Sequence, residues 1–208
     1  MLALRAGVNR HLLHRKQRDP VLASYLDCGA ADVVLDVSSR GKPKLAEARL
    51  SFSLSHCADR LVIGVAARGE VGVDLVTTGR DARRSCRLLA PRDASAIEAD
   101  VPRSEQAAAY RRWWACQEAI AKAAGTGLLF ALPHIGPDAL QAAAGGTWLP
   151  SSDGRRWWVR CFTEPTGEQL IVATEQPPEP IRFRPPARHR SPRSPVAAGR
   201  PPGDHIPT

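Results

Sequence analysis

Trp113-Trp114-Ala115-Cys116-Gln117-Glu118-Ala119-Ile120-Ala121-Lys122-Ala123-Ala124-Gly125-Thr126-Gly127-Leu128 is the stretch that decides how the rest of the chain is read. Ala, Gln, Glu and Lys favour helix, and the glycines at 125 and 127 stop it. Trp114, Glu118 and Lys122 recur at i, i+4 and i+8, so one face carries an aromatic ring, a carboxylate and an ammonium. Taken alone, Glu118 and Lys122 read as an ordinary solvent-facing pair. A second carboxylate, upstream in the chain, opens another reading.

That carboxylate is Asp74, the odd residue in the apolar run Glu70-Val71-Gly72-Val73-Asp74-Leu75-Val76. A carboxylate in such a strand is costly to bury alone and needs an Arg, a set of backbone N–H groups or a metal ion. Leu61–Ala67, linked to the run by Arg68-Gly69, is expected to pair with it as a β-hairpin. Gly64 and Gly72 weaken both strands unless something approaches closely there. Upstream, Leu50-Ser51-Phe52-Ser53-Leu54-Ser55-His56 alternates apolar and polar, the period of a half-buried strand. His56 at its end reads by itself as a packing or hydrogen-bonding residue, with several hydroxyl donors beside it.

Val33–Val37 reads as a short strand, followed by a turn over Ser39–Lys44 in which Gly41 permits the sharp backbone and Pro43 forbids a continuing central strand. Lys42, held at such a turn, is either a basic loop residue or a phosphate contact. Residues 1–27 are basic and helical in pattern, with Pro20 expected to end one helix and begin another. Residues 81–112 read as helices: one over Arg83–Leu89, stopped near Pro91, a weaker one over Ala94–Ala99, and a third opened by Ser104-Glu105-Gln106. Residues 128–138 form a Gly/Pro-rich connection. Trp157–Thr163 and Gln169–Thr174 make a second hairpin, and the likeness of the two helix-plus-strand halves hints at an internal pseudo-repeat.

The 208 residues and 43% hydrophobic content allow one domain of moderate size or two small halves sharing a core. The net charge of +8 and the pI near 9.8 suggest an anionic partner, although much of the charge sits at the two ends. The five cysteines are widely spaced without a CxxC pair, which argues for reduced thiols rather than a zinc or redox motif. No apolar run is long enough for a membrane span and the start carries no signal-peptide pattern, so a soluble, cytoplasmic protein is expected. From Pro177 the chain is dense in Pro and Arg, and 177–208 is read as a disordered basic tail.

Two carboxylates brought together repel unless a cation sits between them, and oxygen ligands beside phosphate binders select Mg²⁺. Asp74 and Glu118, with Lys42, Ser55, His56 and Lys122 around them, suit chemistry at a phosphoanhydride. Four ordered blocks carry a resemblance. Gly41-Lys42-Pro43, Phe52-Ser53-Leu54-Ser55-His56, Val71-Gly72-Val73-Asp74-Leu75, and Trp114 through Lys122 continued by Gly125-Thr126-Gly127-Leu128 together resemble the motifs of the 4′-phosphopantetheinyl transferases, of the larger monomeric class. The match spans roughly residues 18–175.

The resemblance implies an α+β fold of two similar α/β halves related by a pseudo-twofold: an N-terminal half over 1–78, a C-terminal half with the catalytic helix over 79–176, then the tail. It implies transfer of the phosphopantetheine arm of coenzyme A to a serine of an acyl or peptidyl carrier protein, with release of adenosine 3′,5′-bisphosphate, by a monomer that binds neither nucleic acid nor membrane. Carried over by position, Asp74 and Glu118 hold Mg²⁺. Glu118 is also the base for the carrier serine, and Lys122 binds the transferring phosphate. Lys42, Ser55 and His56 hold the phosphates of the adenosine half, with Arg18 as a nucleotide contact. Residues 83–112 offer a basic and apolar surface suited to an acidic carrier helix.

Three departures stand out. The family's second acid after the strand Asp is here Val76, and the Lys before the helix Glu is here Gln117, which removes a phosphate-facing or solvent-facing charge. The N-terminal part is also short, which suggests a truncated or misassigned start. The alternative these favour is a non-catalytic relative that still binds coenzyme A or a carrier protein. A basic nucleic-acid binder would need its charge clustered with aromatics on the folded part.

Overall fold

The structure, a computed structural model, describes residues 10–46, 50–57, 60–128, 132–178 and 180–184. Helix α1 (Arg10–Leu26) leads into strands β1 (Leu35–Val37), β2 (Pro43–Leu45), β3 (Ser51–Cys57), β4 (Arg60–Ala66) and β5 (Val71–Val76). Helices α2 (Arg83–Leu89), α3 (Pro91–Asp100), α4 (Gln106–Ala124) and α5 (Pro137–Ala142) follow. Strands β6 (Thr147–Pro150), β7 (Arg156–Thr163) and β8 (Gln169–Thr174) close the described part. All pairing is antiparallel, in three sheets: β1–β2, β3–β4, and a four-stranded sheet ordered β5-β8-β7-β6. The fold is mixed α/β. Among the described residues no helix is long and apolar enough to cross a membrane.

Strands β5 and β8 are buried along their whole length because both faces of their sheet are covered. Alternation sends Val71, Val73 and Leu75 with Leu170 and Val172 to one face, against Val62 and Ala66 of β4. Gly72, Asp74 and Val76 go to the other face, toward α4. Helix α4 packs there with Trp113, Cys116, Ala119, Ile120 and Ala123 against Ile171 and Ala173 in the main core. A second cluster, Leu22, Ala23, Val33, Leu45 and Phe52, seats α1 on β2 and β3.

The expected hairpin of 61–67 with 70–76 does not form. β4 pairs with β3, Ser51 opposite Ala66 through Cys57 opposite Arg60, and β5 pairs instead with β8. The reason lies on the free edge of β5. The N–H groups of Val71, Val73 and Leu75 donate to the hydroxyls of Ser51, Ser53 and Ser55 at 3.1, 3.1 and 3.0 Å. A ladder of serine side chains thus stands in for a neighbouring backbone and satisfies donors that could not stay unpaired once buried. The chain between β4 and β5 is a corner from one sheet to the other. The hairpin expected over 157–163 and 169–174 is present as β7–β8.

Of two prolines expected to interrupt helices, one does not and one does more than that. Pro20 does not divide the first helix; α1 runs through it. Its missing N–H is offset by the burial of Leu22 and Ala23 and by Asp19, which is 5% exposed and held by Arg15 and Arg18. Near Pro91 the Arg83–Leu89 helix stops as expected, and the same proline starts α3, occupying its first turn where no N–H is needed. α5 begins at the end of the 128–138 connection, and β6 lies beyond it, where the sequence reading named no element. The tail expected over 177–208 falls largely outside the described residues, as does the pattern over 1–9. Within 180–184, Phe183 meets Phe162 edge-on and Arg184 lies over Tyr25.

Candidate active site

The site is built where α4 rests on β5, and Gly72 sets the distance. A Cβ at residue 72 would stand 1.9 Å from the Ala119 carbonyl oxygen and 2.5 Å from the Ala123 amide nitrogen. Only hydrogen fits, so the helix backbone lies directly on the strand. α4 then ends at Gly125, whose left-handed φ of 67° allows its N–H to bond Ala121 O. With the helix fixed in height and length, its 114–118–122 face meets Asp74, two residues along β5 from the seat.

Asp74 is 7% exposed and well partnered. Its Oδ1 accepts from the Lys122 ammonium at 2.7 Å and from the Ser55 hydroxyl at 2.9 Å. Lys122 also donates to Val73 O at 3.2 Å. The exposed i,i+4 pair that Glu118 and Lys122 suggest on their own is therefore not what forms: the ammonium reaches across to the strand instead. It has three donors, and these two bonds leave one for a ligand.

Glu118 is half-buried and, among the described residues, its carboxylate forms no hydrogen bond. Burial pushes its pKa above the ordinary glutamate value, Lys122 and Arg80 draw it back, and the Asp74 charge pushes it further up. The two carboxylates thus feel each other across the helix–strand contact. Arg80, from the turn after β5, stacks its guanidinium 4.3 Å over the Trp114 ring. Arg80 was not singled out by sequence, since nothing local in Thr77-Thr78-Gly79-Arg80 points to residue 114.

The other sequence-derived residues are distributed around this centre. Ser55 is 4% exposed and fully engaged, donating to Asp74 and accepting from Leu75 N–H. His56 follows it on β3, so its side chain is exposed on the opposite face. Lys42 reaches the far end of α4, donating to Ala123 O at 3.0 Å and to Glu70 at 2.6 Å. Burial lowers its pKa, against the pull of Glu70. Arg18 lies on α1, paired with Asp19 at 2.7 Å. The structure therefore brings together Asp74, Glu118, Lys122 and Ser55, with Lys42 at the same end of α4 as Lys122. Among the described residues no contact joins Arg18 to that group.

Both departures in the motifs have structural consequences. Val76 is 1% exposed inside the core, facing α4 beyond Asp74. Gln117 is 2% exposed, so its position is interior and not solvent-facing; its amide donates to Pro133 O at 2.9 Å and ties the 132–136 segment to α4. A second tie, also missed, is Asp93 on α3. It is 1% exposed and accepts from Trp113 Nε1 at 2.7 Å and Ile135 N–H at 3.0 Å, and it contacts His134 Nδ1. By sequence it is just an acid in the first turn of a helix.

Among the described residues no group of three or more His, Cys, Asp or Glu side chains gathers as a metal cage. The donors that do meet are two carboxylates, one of them half-buried without a hydrogen-bonding partner and raised in pKa by the other. That set fits a hard divalent cation such as Mg²⁺, which takes one or two carboxylates and completes its shell with water and phosphate oxygens. Asp74 and Glu118 are the residues that would hold it.

No family model matches the chain. Two curated relatives do. The 4′-phosphopantetheinyl transferase HetI of Nostoc sp. is 30% identical over 115 residues, covering 52% of this chain and 48% of that protein. The Synechocystis sp. protein slr0495, provisionally named for the same activity, is 26% identical over 144 residues, covering 66% of this chain and 57% of its own length. The chain thus spans about half the length of the curated relatives it matches, and what it is similar to, on both counts, are proteins named 4′-phosphopantetheinyl transferases.

Proposed function

We propose that the protein transfers the 4′-phosphopantetheine arm of coenzyme A to a serine hydroxyl of an acyl or peptidyl carrier protein, acting in the cytoplasm as a monomer. The observation that carries this reading is the convergence of Asp74, Glu118 and Lys122 at the Gly72 seat. The names of the two relatives point the same way. On this reading the two halves, 1–78 and 79–176, are the pseudo-twofold pair of the larger monomeric transferases.

The carrier serine oxygen forms a bond to the phosphopantetheinyl phosphorus as the bond from that phosphorus to the adenosine 3′,5′-bisphosphate oxygen breaks. Glu118 takes the serine proton, directly or through a water, and its raised affinity for protons suits the task. Lys122 turns its remaining N–H to the transferring phosphate and stabilises the charge spread over it. Ser55 holds Asp74 in place from behind, which spends its hydroxyl on the carboxylate rather than on a phosphate. Lys42, with one donor left over, and His56 and Arg18 serve the phosphates of the adenosine half. Mg²⁺ bound at Asp74 and Glu118 would supply neutralisation of the pyrophosphate oxygens.

Val76 favours the second reading, a relative that binds coenzyme A or a carrier without transfer, because it removes an acid that metal ligation would use. Incubation with Mg²⁺, coenzyme A and an apo carrier separates the two. Phosphopantetheinylated carrier supports the transferase. Coenzyme A binding with an unmodified carrier supports the second reading.

A further inference from the structure

The last carbonyls of a helix have no N–H partner within it, and they gather partial negative charge at its C-terminus. In α4 that end lies beside Lys122. Gly125 and Thr126 satisfy Ala121 O through their N–H groups. Ala123 O and Ala124 O are instead met by cations from elsewhere in the chain. Lys42 takes the first, and the Arg155 guanidinium donates to the second at 3.3 Å. Arg155 ends the turn between β6 and β7, and neither the motifs nor the chemistry above use it.

The guanidinium is aimed by three further contacts. Its Nε donates to Asp153 at 2.8 Å, its Nη1 lies 3.6 Å from the Glu175 carboxylate, and it stacks 4.8 Å over the Trp157 ring. Each of these is itself fixed. Asp153 also accepts from the Arg155 N–H at 3.2 Å and from the Ser151 hydroxyl. Trp157 is fully buried and donates to Ser151 Oγ at 3.1 Å. Glu175 accepts the Glu70 N–H at 3.3 Å, and Glu70 in turn holds Lys42. Lys42, Glu70, Glu175 and Arg155 thus form a collar around the end of α4, closed through its two carbonyls. Ion pairs as exposed as those of Arg155 add little stability. Several partners on one planar fork do fix where its remaining N–H points.

We propose that Arg155 is a positioning residue for the transfer: by holding Ala124 O it keeps the last turn of α4 wound, and so keeps the Lys122 ammonium on Asp74 and Val73 O. Helix ends fray when their terminal carbonyls lose their partners. Lys122 lies two residues before Ala124, inside that turn, and moves with it. Glu118 lies one turn further in, where the helix holds itself. The effect on transfer rests on the transferase reading, whereas the hold on the helix end does not. Arg155→Met keeps the apolar stem over Trp157 and removes every side-chain donor; Arg155→Lys keeps a charged donor. Both replace an exposed residue, so the fold stays intact.

The measurements are amide hydrogen exchange at Gly125 and Thr126, thermal melting, and steady-state modification of an apo carrier. Arg155→Met is expected to exchange these two amides about tenfold faster and to lower kcat about tenfold, with KM for the carrier and the melting temperature as in the wild type. Arg155→Lys is expected to restore most of both. Wild-type exchange and turnover in Arg155→Met overturn the proposal. So does a fall in kcat with exchange unchanged, since the effect would not pass through α4. A fall in kcat that follows a lowered melting temperature and is not recovered by Arg155→Lys overturns it as well, as the mark of a general brace. If the folded wild type leaves an apo carrier unmodified, the transferase reading fails and exchange decides alone. Faster exchange in Arg155→Met, recovered in Arg155→Lys, then leaves the hold on α4 standing, and wild-type exchange removes it.

Discussion

Gly72→Ala tests the link between packing and chemistry most sharply. The added Cβ would sit 1.9 Å from the Ala119 carbonyl oxygen and 2.5 Å from the Ala123 nitrogen. Both are helix backbone, so no side chain can swing aside. Carbon and oxygen atoms not bonded to each other stay about 3 Å apart or more, so α4 must retreat from β5 by about 1 Å. Overpacking of this kind costs about 1–3 kcal/mol, and more where backbone must move. The same retreat carries Lys122 away from Asp74, stretching a 2.7 Å bond toward 4 Å or so and loosening the Glu118–Asp74 approach. A displacement of about 1 Å in a catalytic group lowers turnover by about 100-fold. Urea denaturation and carrier-modification rates measure the two effects on one variant. If Gly72→Ala keeps wild-type stability and rate, α4 is not seated on β5 as described and the site geometry built on that seat falls.

Three further outcomes follow from individual contacts. Ser55→Ala leaves the buried Leu75 N–H without an acceptor and is expected to cost about 1–3 kcal/mol in denaturant titrations while coenzyme A affinity stays unchanged; weaker coenzyme A binding at intact stability would return Ser55 to the phosphates. Glu118 has a raised pKa in the folded state, so its proton stabilises the fold below the ordinary carboxylate range and that contribution is lost as pH rises through the raised value. Glu118→Gln, which cannot ionise, is accordingly expected to melt above wild type at neutral pH and level with it at acid pH; a variant melting below wild type at neutral pH contradicts this. Asp93→Ala strands Trp113 Nε1 and Ile135 N–H in the interior and is expected to lose about 3 kcal/mol of stability, where a loss below about 1 kcal/mol would mean the carboxylate ties nothing together.

How much of this was legible beforehand depended on whether the deciding interaction was local. Helix α4 and its stop at Gly125 follow from residue preferences over a single segment, as does the Arg83–Leu89 helix. Gly72 and Asp74 announced themselves as misfits in an apolar strand, and both found the close approach and the partners such misfits require. The β4–β5 pairing was misread because two apolar runs joined by a Gly turn look the same whether they bond each other or turn a corner. What decides it is the hydroxyl spacing of Ser51, Ser53 and Ser55, visible in sequence only as the polar side of an alternating strand. Arg80 and Asp93 act on partners 34 and 20 residues away, on Trp114 and Trp113 respectively, and no local pattern marks them. Pro20 shows tertiary burial overriding a helix-breaking preference.

The central claim is that Asp74, Glu118 and Lys122 form one phosphopantetheinyl-transfer site. The most direct measurement is the intact mass of an apo carrier protein after incubation with Mg²⁺, coenzyme A and the wild-type protein or its Asp74→Ala, Glu118→Ala and Lys122→Ala variants. The account predicts that the wild type adds one phosphopantetheine mass and that each variant loses most of that activity. A carrier left unmodified by the folded wild type, or modified at the wild-type rate by Glu118→Ala, would contradict it.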